Sequence, residues 1–343
     1  MEKVQTVKTI EDIKKYCANN IEAISKIKGK PCEKCVNYRK CMIRSKEVQI
    51  ESILEMKPEE SRLPARAFLF AQSHPCFLQL TPAALYKHFY GISPAHLPCP
   101  FQGERIVENL DKIIQVYQML HDEQSKDTFL NVLMYRLTMN SDYIKHVRSS
   151  ESQYFIDSFC GMQQNTVYVD CGAYTGDTFI DYCRYNKAPR AAYLFEPDKM
   201  NLQKLIDSIK PYEKETKIHI IEKGVYNRTG ALFFSGGHGE ASRILEEPAE
   251  NSFQIDVVSI DDAIKEDIDF IKMDIEGSEK AAIVGAKQHI EATYPKLAIC
   301  IYHSVEDLWL IPLMIRNMFP YYSNYELRHY TNTFSETVLY VSH

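Results

Sequence analysis

The sequence predicts an α/β fold, in which a doubly wound, mainly parallel sheet follows a mainly helical N-terminal region. Two observations predict the sheet. From Asn165 onward, short β-branched and apolar runs alternate with helical patterns, as expected when helices cover both faces of a parallel sheet. In addition, a glycine loop joins the first run directly to a helix start within Val167–Thr178. That geometry places a ligand at the carboxyl edge of such a sheet.

The loop of this first unit has an unusual chemistry. Val167–Thr178 reads VYVDCGAYTGDT, with Gly172 and Gly176 at the turn, where a side chain would keep the backbone away from a ligand. It lacks the G-x-G pair that holds pyrophosphate in dinucleotide folds, and Asp170 and Asp177 flank it. A dinucleotide-dependent dehydrogenase is therefore disfavoured. The loop suits a ligand with a cationic centre and a carboxylate tail, such as S-adenosylmethionine.

An acidic residue follows the second strand of the predicted sheet. The buried run Ala191–Phe195 ends in Glu196, Pro197 and Asp198, roughly 20 residues after the glycine loop. A carboxylate in this position binds both ribose hydroxyls of a nucleoside. Taken alone, Glu196 is equally typical of an acid at a helix N-terminus. The glycine loop and the acid in this order favour the nucleoside interpretation.

The rest of the domain continues the alternation. We predict five strands in the alternating part, Thr166–Asp170, Ala191–Phe195, Lys217–Ile221, Phe270–Met273 and Lys296–Ile301. An added hairpin is predicted from Ala231–Ser235 and Ser252–Val258. Two strands at Tyr325–His329 and Thr337–Val341 are predicted to close the domain around a TNTFSE turn.

Several motifs in order identify a family. Ile268–Glu279 reads IDFIKMDIEGSE, and the chain also carries VDCGAYTGDT, LFEPD, LAICIYHSVEDLW and YELRHYTNTFSETVLYV. From about Ser150 to the C-terminus, the sequence resembles the FkbM family of S-adenosylmethionine-dependent methyltransferases. The resemblance implies a seven-stranded class I methyltransferase (Rossmann-like) sheet. It also implies an enzyme that methylates an oxygen of a small hydroxylated acceptor, such as a sugar or a natural-product intermediate.

The resemblance places the cofactor across the strand ends. We expect the methionine end to contact Asp170, Gly172, Tyr174, Gly176, Asp177 and Thr178. Glu196 is expected to bind the ribose, while Pro197 and Asp198 shape the adenosine wall. Tyr154 is a candidate wall residue from the segment before the sheet. The third strand lacks the acid that many methyltransferases use on adenine, so we expect backbone contacts from Gly224 and Val225.

Three residues are candidates for catalysis. Asp274 ends the fourth strand, Glu276 lies two residues later, and His303 ends the fifth strand. Each is a candidate base, metal ligand or group that orients the acceptor, because a hydroxyl acceptor must lose a proton. Alternatively, Glu276 caps the next helix and His303 packs the strand end. The polar loop Gly236–Arg243 is predicted to close over the site, or to be an ordinary hairpin loop.

The N-terminal region carries a cysteine motif outside the family pattern. Cys32, Cys35 and Cys41 form C-x2-C-x5-C, a spacing that suits zinc or an iron–sulfur cluster. Cys17 is the obvious fourth ligand, and Cys76 and Cys99 are alternatives. We predict three parts: a cysteine-rich helical segment at 1–60, a proline-interrupted helical region at 61–149 that could cap the acceptor side, and the methyltransferase domain at 150–343. Helices are predicted at Glu104–His121 and Ser125–His146.

Composition limits the partners. The chain has 343 residues, is 45% hydrophobic and 25% charged, and has a net charge of −6, so broad electrostatic binding to nucleic acid is not expected. No apolar run approaches the roughly 20 residues of a membrane span, and the first residues lack a signal-peptide core. We expect a cytoplasmic protein with a small-molecule acceptor and leave a homodimer open. The alternatives are a metal- or cluster-bearing interaction protein whose fold binds a nucleoside, and an RNA or nitrogen methyltransferase.

Overall fold

The computed structural model of the chain describes residues 8–15, 17, 105–138, 142–159, 165–235, 243–245, 247 and 252–343. The cysteine motif at Cys32, Cys35 and Cys41 and most of the loop at 236–243 lie outside the described residues. Cys17 lies within them and is fully buried, and burial raises the pKa of its thiol to about 11. Among the helices described here, none has the length and apolar character needed to cross a bilayer.

A seven-stranded sheet forms the centre of the fold. Its members in chain order are β1 (Val167–Cys171), β2 (Ala191–Phe195), β3 (Lys217–Ile221), β8 (Phe270–Met273), β9 (Lys296–Cys300), β10 (Asn324–His329) and β11 (Thr337–Ser342). Across the sheet the order is β10-β11-β9-β8-β1-β2-β3. β11 pairs antiparallel with both of its neighbours, and the other pairings are parallel. The predicted seven-stranded class I methyltransferase sheet is therefore confirmed.

The central strand β1 is buried on both faces because its residues alternate between two apolar layers. Val167, Val169 and Cys171 belong to one buried cluster, and Tyr168 belongs to the other, with the rings of Tyr182 and Phe270. All five residues of β1 are buried. This is the near-continuous apolar pattern of a parallel strand covered by helices on both sides.

The helices complete the doubly wound pattern. Before the sheet, the helices whose bounds are described are α1 (Leu110–Met119), α2 (Glu123–Thr138) and α3 (Asp142–Lys145), and residues 10–15, 17 and 105–108 are also helical. Within the domain follow α4 (Asp177–Tyr185), α5 (Lys199–Ile209), α6 (Ile260–Ala263), α7 (Glu279–Gly285), α8 (Lys287–Thr293) and α9 (Asp307–Met318). The region predicted as one helix at Ser125–His146 contains α2, which ends at Thr138, and α3, which begins at Asp142, and residues 139–141 between them lie outside the described residues.

A second sheet of four strands contains the predicted hairpin. It consists of β4 (Gly224–Val225), β5 (Gly230–Ser235), β6 (Arg243–Leu245) and β7 (Ser252–Val258), in the order β4-β7-β5-β6. β5 and β7 pair antiparallel, as predicted. The short strand β4 pairs parallel with β7 and directly follows β3, so it lies near the carboxyl edge of the main sheet.

The helices before the sheet pack on it. α1 packs on α9, and α2 packs on β10. Arg136 of α2 is buried, and its Nη2 donates to the backbone oxygens of Tyr302 (2.9 Å) and Phe334 (3.1 Å). These two carbonyls belong to the loop after β9 and to the β10–β11 turn. One helical side chain therefore holds two loops at the same edge of the sheet.

Candidate active site

A cleft of about 290 Å³ opens at the carboxyl ends of β1, β2, β8 and β9. Its walls come from the loops that follow these strands, together with the segment at 153–154, the β3–β4 connection and the β10–β11 turn. This is the position at which open α/β sheets bind ligands, where helices on opposite faces leave a crevice. The cleft has two chemically different ends, one around Glu196 and one around Asp274.

Gly172 lets the β1 loop lie against the loop after β8. Its φ is +86°, and a Cβ at this position would lie 2.1 Å from the backbone oxygen of Asp274. Only glycine fits this combination of left-handed backbone and close approach. Gly176 has φ +85°, and a Cβ there would meet Ser208, Ile209 and Leu205 of α5 at 2.8–2.9 Å. Gly176 therefore controls helix packing and does not reach the cleft.

Glu196 forms the first end of the cleft. Its Oε2 accepts from the backbone N–H of Tyr174 (2.9 Å), and its Oε1 accepts from that of Asp198 (2.8 Å). The side chain of Asn201 also approaches it, at 3.4 Å. The carboxyl group is buried, and burial raises its pKa. A carboxylate fixed by backbone donors can accept from further hydroxyl groups in a defined direction.

Asp170 lies beneath the cleft, in a buried ion pair. Its Oδ1 is 3.0 Å from Nζ of Lys272, and its Oδ2 accepts from the Tyr168 hydroxyl at 2.9 Å. Lys272 also donates to the backbone oxygen of Gly172 at 2.7 Å. Burial raises the pKa of Asp170, whereas in Lys272 the carboxylates of Asp170 and Asp274 outweigh burial and raise the ammonium pKa. The pair fixes the glycine loop from below.

Asp274 forms the second end. Its Oδ2 accepts from the Tyr154 hydroxyl at 3.0 Å, and its Oδ1 accepts from the Tyr302 hydroxyl at 3.2 Å. Burial opposes its ionisation, but the positive charges of Lys272 and His303 outweigh burial and lower its pKa. Two phenol donors from distant parts of the chain thus fix an ionised carboxylate in the cleft wall.

His303 lies among carboxylates behind Asp274. Its Nε2 is 3.4 Å from Oδ1 of Asp274 and 3.4 Å from Oε2 of Glu276, and its Nδ1 is 3.2 Å from Oε1 of Glu279. Burial would lower the pKa of His303, but the three carboxylates outweigh burial and raise it to about 10. Burial raises the pKa of Glu276 to about 8, against the opposing charge of His303.

Backbone strain is concentrated at the cleft. In the described part of the chain, six non-glycine residues have positive φ, and four of them line the cleft: Tyr154, Tyr174, Glu276 and Glu336. Left-handed backbone in residues with a Cβ costs free energy and tends to persist at functional sites. Glu336 reaches the cleft from the β10–β11 turn and accepts from the side chain of Gln153. Burial raises its pKa to about 7.

The structure brings most of the predicted cofactor residues to one cleft. Those that line it are Tyr154, Gly172, Tyr174, Asp177, Thr178, Glu196, Pro197, Gly224 and Val225. Three predicted contacts lie elsewhere. Asp170 is buried in its ion pair, Gly176 packs on α5, and Asp198 caps α5 by accepting from the backbone N–H of Met200. These three therefore act on the cleft through their neighbours.

The predicted catalytic residues also meet, since Asp274 and Glu276 line the cleft and His303 contacts both. Sequence reasoning missed several residues that line the cleft, among them Gln153, Asn201, Lys272, Tyr302 and Glu336. Lys272 carried the clearest signal, because a lysine inside the apolar strand Phe270–Met273 needs a buried partner. Glu336 carried none, because it lies in a polar turn at the far end of the chain.

Comparison with known proteins agrees with this architecture. Residues 170–328 match the family described as the Methyltransferase FkbM domain. A methyltransferase FkbM from Methylobacillus flagellatus KT superposes with a TM-score of 0.60 at 30% sequence identity. The match covers 69% of this chain and 60% of that protein, so the chain spans about three fifths of its relative's length. No curated protein matches the chain.

Two more distant structures superpose only weakly on this chain. A precorrin-6y C5,15-methyltransferase from Geobacter metallireducens GS-15 has 14% identity and a TM-score of 0.32, covering 52% of this chain and 79% of its own. A methyltransferase from Geobacter sulfurreducens has 12% identity and a TM-score of 0.31, and the match covers 70% of this chain and 96% of that protein. Neither superposition gives information about the substrate of this chain. Residues 170–328 of this chain therefore match the FkbM methyltransferase family, and a solved structure of that family superposes on the chain at 30% identity.

Proposed function

We propose that the protein is an S-adenosylmethionine-dependent methyltransferase that methylates an oxygen of a small hydroxylated acceptor. The observation that carries this proposal is the two-ended cleft. A carboxylate fixed by backbone donors, Glu196, lies at one end, and a cluster of carboxylates and phenols around Asp274 lies at the other. The Gly172 backbone lies beside the loop that carries Asp274, so a bound nucleoside would direct its reactive end toward Asp274.

The residues present fit this cofactor. Glu196 would bind the ribose hydroxyls, as acids after the second strand do in nucleoside folds. Gly172, Tyr174, Asp177 and Thr178 line the part of the cleft beside the β1 loop, where the methionine end would lie. When bound, S-adenosylmethionine supplies a sulfonium methyl group, which passes to the acceptor oxygen by in-line displacement while the sulfur retains the electron pair of the broken bond.

The chain's own residues orient the acceptor and remove its proton. Asp274 cannot turn freely, because Tyr154 and Tyr302 hold both of its oxygens, so it fixes the direction of an acceptor hydroxyl. Ligand atoms of Asp274 and Glu336 lie within 4.8 Å of one another. We assign the acceptance of the hydroxyl proton to Glu336, which faces Asp274 from the C-terminal hairpin. The polar walls suit a hydroxylated acceptor such as a sugar.

Calorimetric titration with S-adenosylmethionine tests the proposal. We expect micromolar binding, at least a tenfold loss of affinity in Glu196→Gln, and wild-type affinity in Glu266→Gln. Glu266 is a matched control, since it pairs with Arg190 and Tyr193 outside the cleft. Equal affinity in the wild type and Glu196→Gln would remove the ribose assignment. Absence of binding, with and without candidate acceptors, would refute the cofactor.

The cysteine motif is a separate proposal. Cys17, Cys32, Cys35 and Cys41 are proposed to bind zinc or an iron–sulfur cluster beside the methyltransferase domain. Elemental analysis of anaerobically purified protein, together with its visible absorption spectrum, distinguishes the two metals. Protein that contains neither zinc nor iron in stoichiometric amount would contradict this proposal.

A further inference from the structure

His303 has surroundings that a packing role does not account for. The side chain is 3% exposed, and neither ring nitrogen has a hydrogen-bond partner of good geometry among the described residues. A buried polar group without such a partner costs free energy, so natural proteins rarely retain one without a reason. Here both nitrogens face carboxylate oxygens, at distances of 3.2–3.4 Å.

The two faces of the imidazole have different neighbours. On the Nδ1 side lies Glu279, which is fully buried and whose Oε1 also accepts from the backbone N–H of Ile275 at 2.8 Å. On the Nε2 side lie Asp274 and Glu276, whose side chains are 23% and 26% exposed at the cleft. A histidine held by a carboxylate at one nitrogen, with its other nitrogen toward further carboxylate oxygens, is typical of metal ligands.

The charges at this end do not balance within the described residues. Four carboxylates surround His303 or face it across the cleft, those of Asp274, Glu276, Glu279 and Glu336. Lys272, which also lines the cleft, is already committed, because it pairs with Asp170 and donates to the backbone oxygen of Gly172. The imidazolium of His303 is then one positive group among four carboxyl groups. A small cation that displaces its Nε2 proton would find donor atoms and an excess of carboxyl groups over cations.

We propose that Asp274, Glu276 and Nε2 of His303 bind a divalent cation, with Glu279 orienting the imidazole through Nδ1. Nε2 lies 3.4 Å from an oxygen of Asp274 and 3.4 Å from an oxygen of Glu276. Ligand atoms of Asp274, Glu279 and His303 lie within 4.8 Å of one another, whereas Glu276 lies outside that group, so its side chain would turn toward Asp274 to share an ion bound at about 2.1 Å. One imidazole and two carboxylates suit a first-row divalent ion such as Mn²⁺ or Zn²⁺. The ion would enter from the cleft, which Asp274 and Glu276 line.

Cation binding does not depend on methyl transfer, but its role in the reaction rests on the proposed function. There the cation would hold the acceptor oxygen and favour its deprotonated form. The hydroxyl proton would pass to Glu336, as before, and no further reactant is needed. Deprotonation would thus be assisted at the end of the cleft opposite Glu196.

The test is a titration of the chelator-treated full-length protein with Mn²⁺, in which electron paramagnetic resonance measures the free ion. We expect one bound Mn²⁺ per chain, and at least tenfold weaker binding in Glu276→Gln and in His303→Asn. Glu196→Gln is the matched control, a carboxylate at the other end of the same cleft, and should bind Mn²⁺ as the wild type does. Thiolates favour softer metals, so the cysteine motif should not contribute to the signal.

Two results would overturn the cation site: no Mn²⁺ binding to the wild-type protein, or binding that Glu276→Gln leaves unchanged. Glu276→Gln decides the question if His303→Asn fails to fold, because Glu276 lies at the cleft surface. Calorimetry with S-adenosylmethionine on the same sample separates the two proposals. Cofactor binding without Mn²⁺ binding refutes the cation site alone. Mn²⁺ binding without cofactor binding supports the site and refutes the proposed function.

Discussion

The two ends of the cleft are built in different ways. At the Glu196 end, the groups that fix the carboxylate are backbone N–H donors from nearby loops, those of Tyr174 and Asp198. At the Asp274 end, the fixing groups are side chains from distant positions, such as Tyr154 and Tyr302. The first end therefore depends on loop conformation, and the second on packing between separate parts of the chain. The following predictions separate these two dependences.

Gly172→Ala should have the largest effect on cofactor affinity and on stability, because Gly172 lies where the β1 loop contacts the loop that carries Asp274. The added Cβ would lie 2.1 Å from the Asp274 backbone oxygen at φ +86°. We expect loss of S-adenosylmethionine binding below detection, and destabilisation of roughly 3 kcal/mol or more. Calorimetry and urea unfolding measure the two effects. The control is Gly230→Ala, where no atom lies within 4 Å of the added Cβ. Near wild-type affinity for S-adenosylmethionine in Gly172→Ala would contradict the assigned geometry.

Lys272→Met should have the next largest effect, because it leaves the buried Asp170 without its cation. Breaking a buried ion pair from one side typically costs about 3–5 kcal/mol. Urea unfolding at neutral pH measures the loss. The double variant Lys272→Met with Asp170→Asn should recover part of the stability, since the uncompensated charge is then gone. If the double variant is no more stable than Lys272→Met, charge burial is not the cause.

The free energy of unfolding should fall as the pH falls, because the β10–β11 hairpin, which carries Glu336 of the Asp274 end, buries a histidine. Burial lowers the pKa of His329 in this hairpin to about 4, below the ordinary 6.5. The unfolded state therefore binds the proton more readily. The contribution of His329 to the free energy of unfolding is fully present above about pH 6.5. It is lost as the pH falls toward 4, and the total loss is about 3 kcal/mol.

Urea unfolding between about pH 7 and pH 4 measures this loss. In His329→Gln the unfolding free energy should lose part of its pH dependence, whereas in His146→Gln, an exposed histidine, it should not. An identical pH dependence in the wild type and His329→Gln would show that other groups cause the acid sensitivity.

The smallest expected effect is a gain of stability in Glu276→Gly. Glu276 has φ +55°, so glycine relieves strain and also removes a carboxyl group whose pKa burial raises to about 8. We expect an increase of about 1 kcal/mol in the unfolding free energy, together with the loss of Mn²⁺ binding. Asn165→Gly, at φ +61° outside the cleft, is the control and should leave Mn²⁺ binding unchanged. A less stable Glu276→Gly variant would argue against stored strain.

Much of the fold could be predicted from the sequence. The bounds of β2, β3 and β8 agree with the prediction residue for residue, β1 is shifted by one residue at both ends, and β9 ends one residue earlier than predicted. β1, β2 and β8 are buried along their whole length and β9 at all but its first residue, so their apolar runs are nearly continuous and their ends are marked by polar or glycine residues. The edge strand β3 is only partly buried.

The order of strands and helices along the chain, the glycine loop and the position of Glu196 follow from the amino-acid pattern, because each depends on residues close together in the chain. The pairing of Lys272 with Asp170, and the approach of Glu336 to Asp274 from the C-terminal hairpin, appear only in the folded protein. So does the position of His303 among three carboxylates. These contacts join residues far apart in sequence, and strand order and helix packing set them, so no local pattern records them.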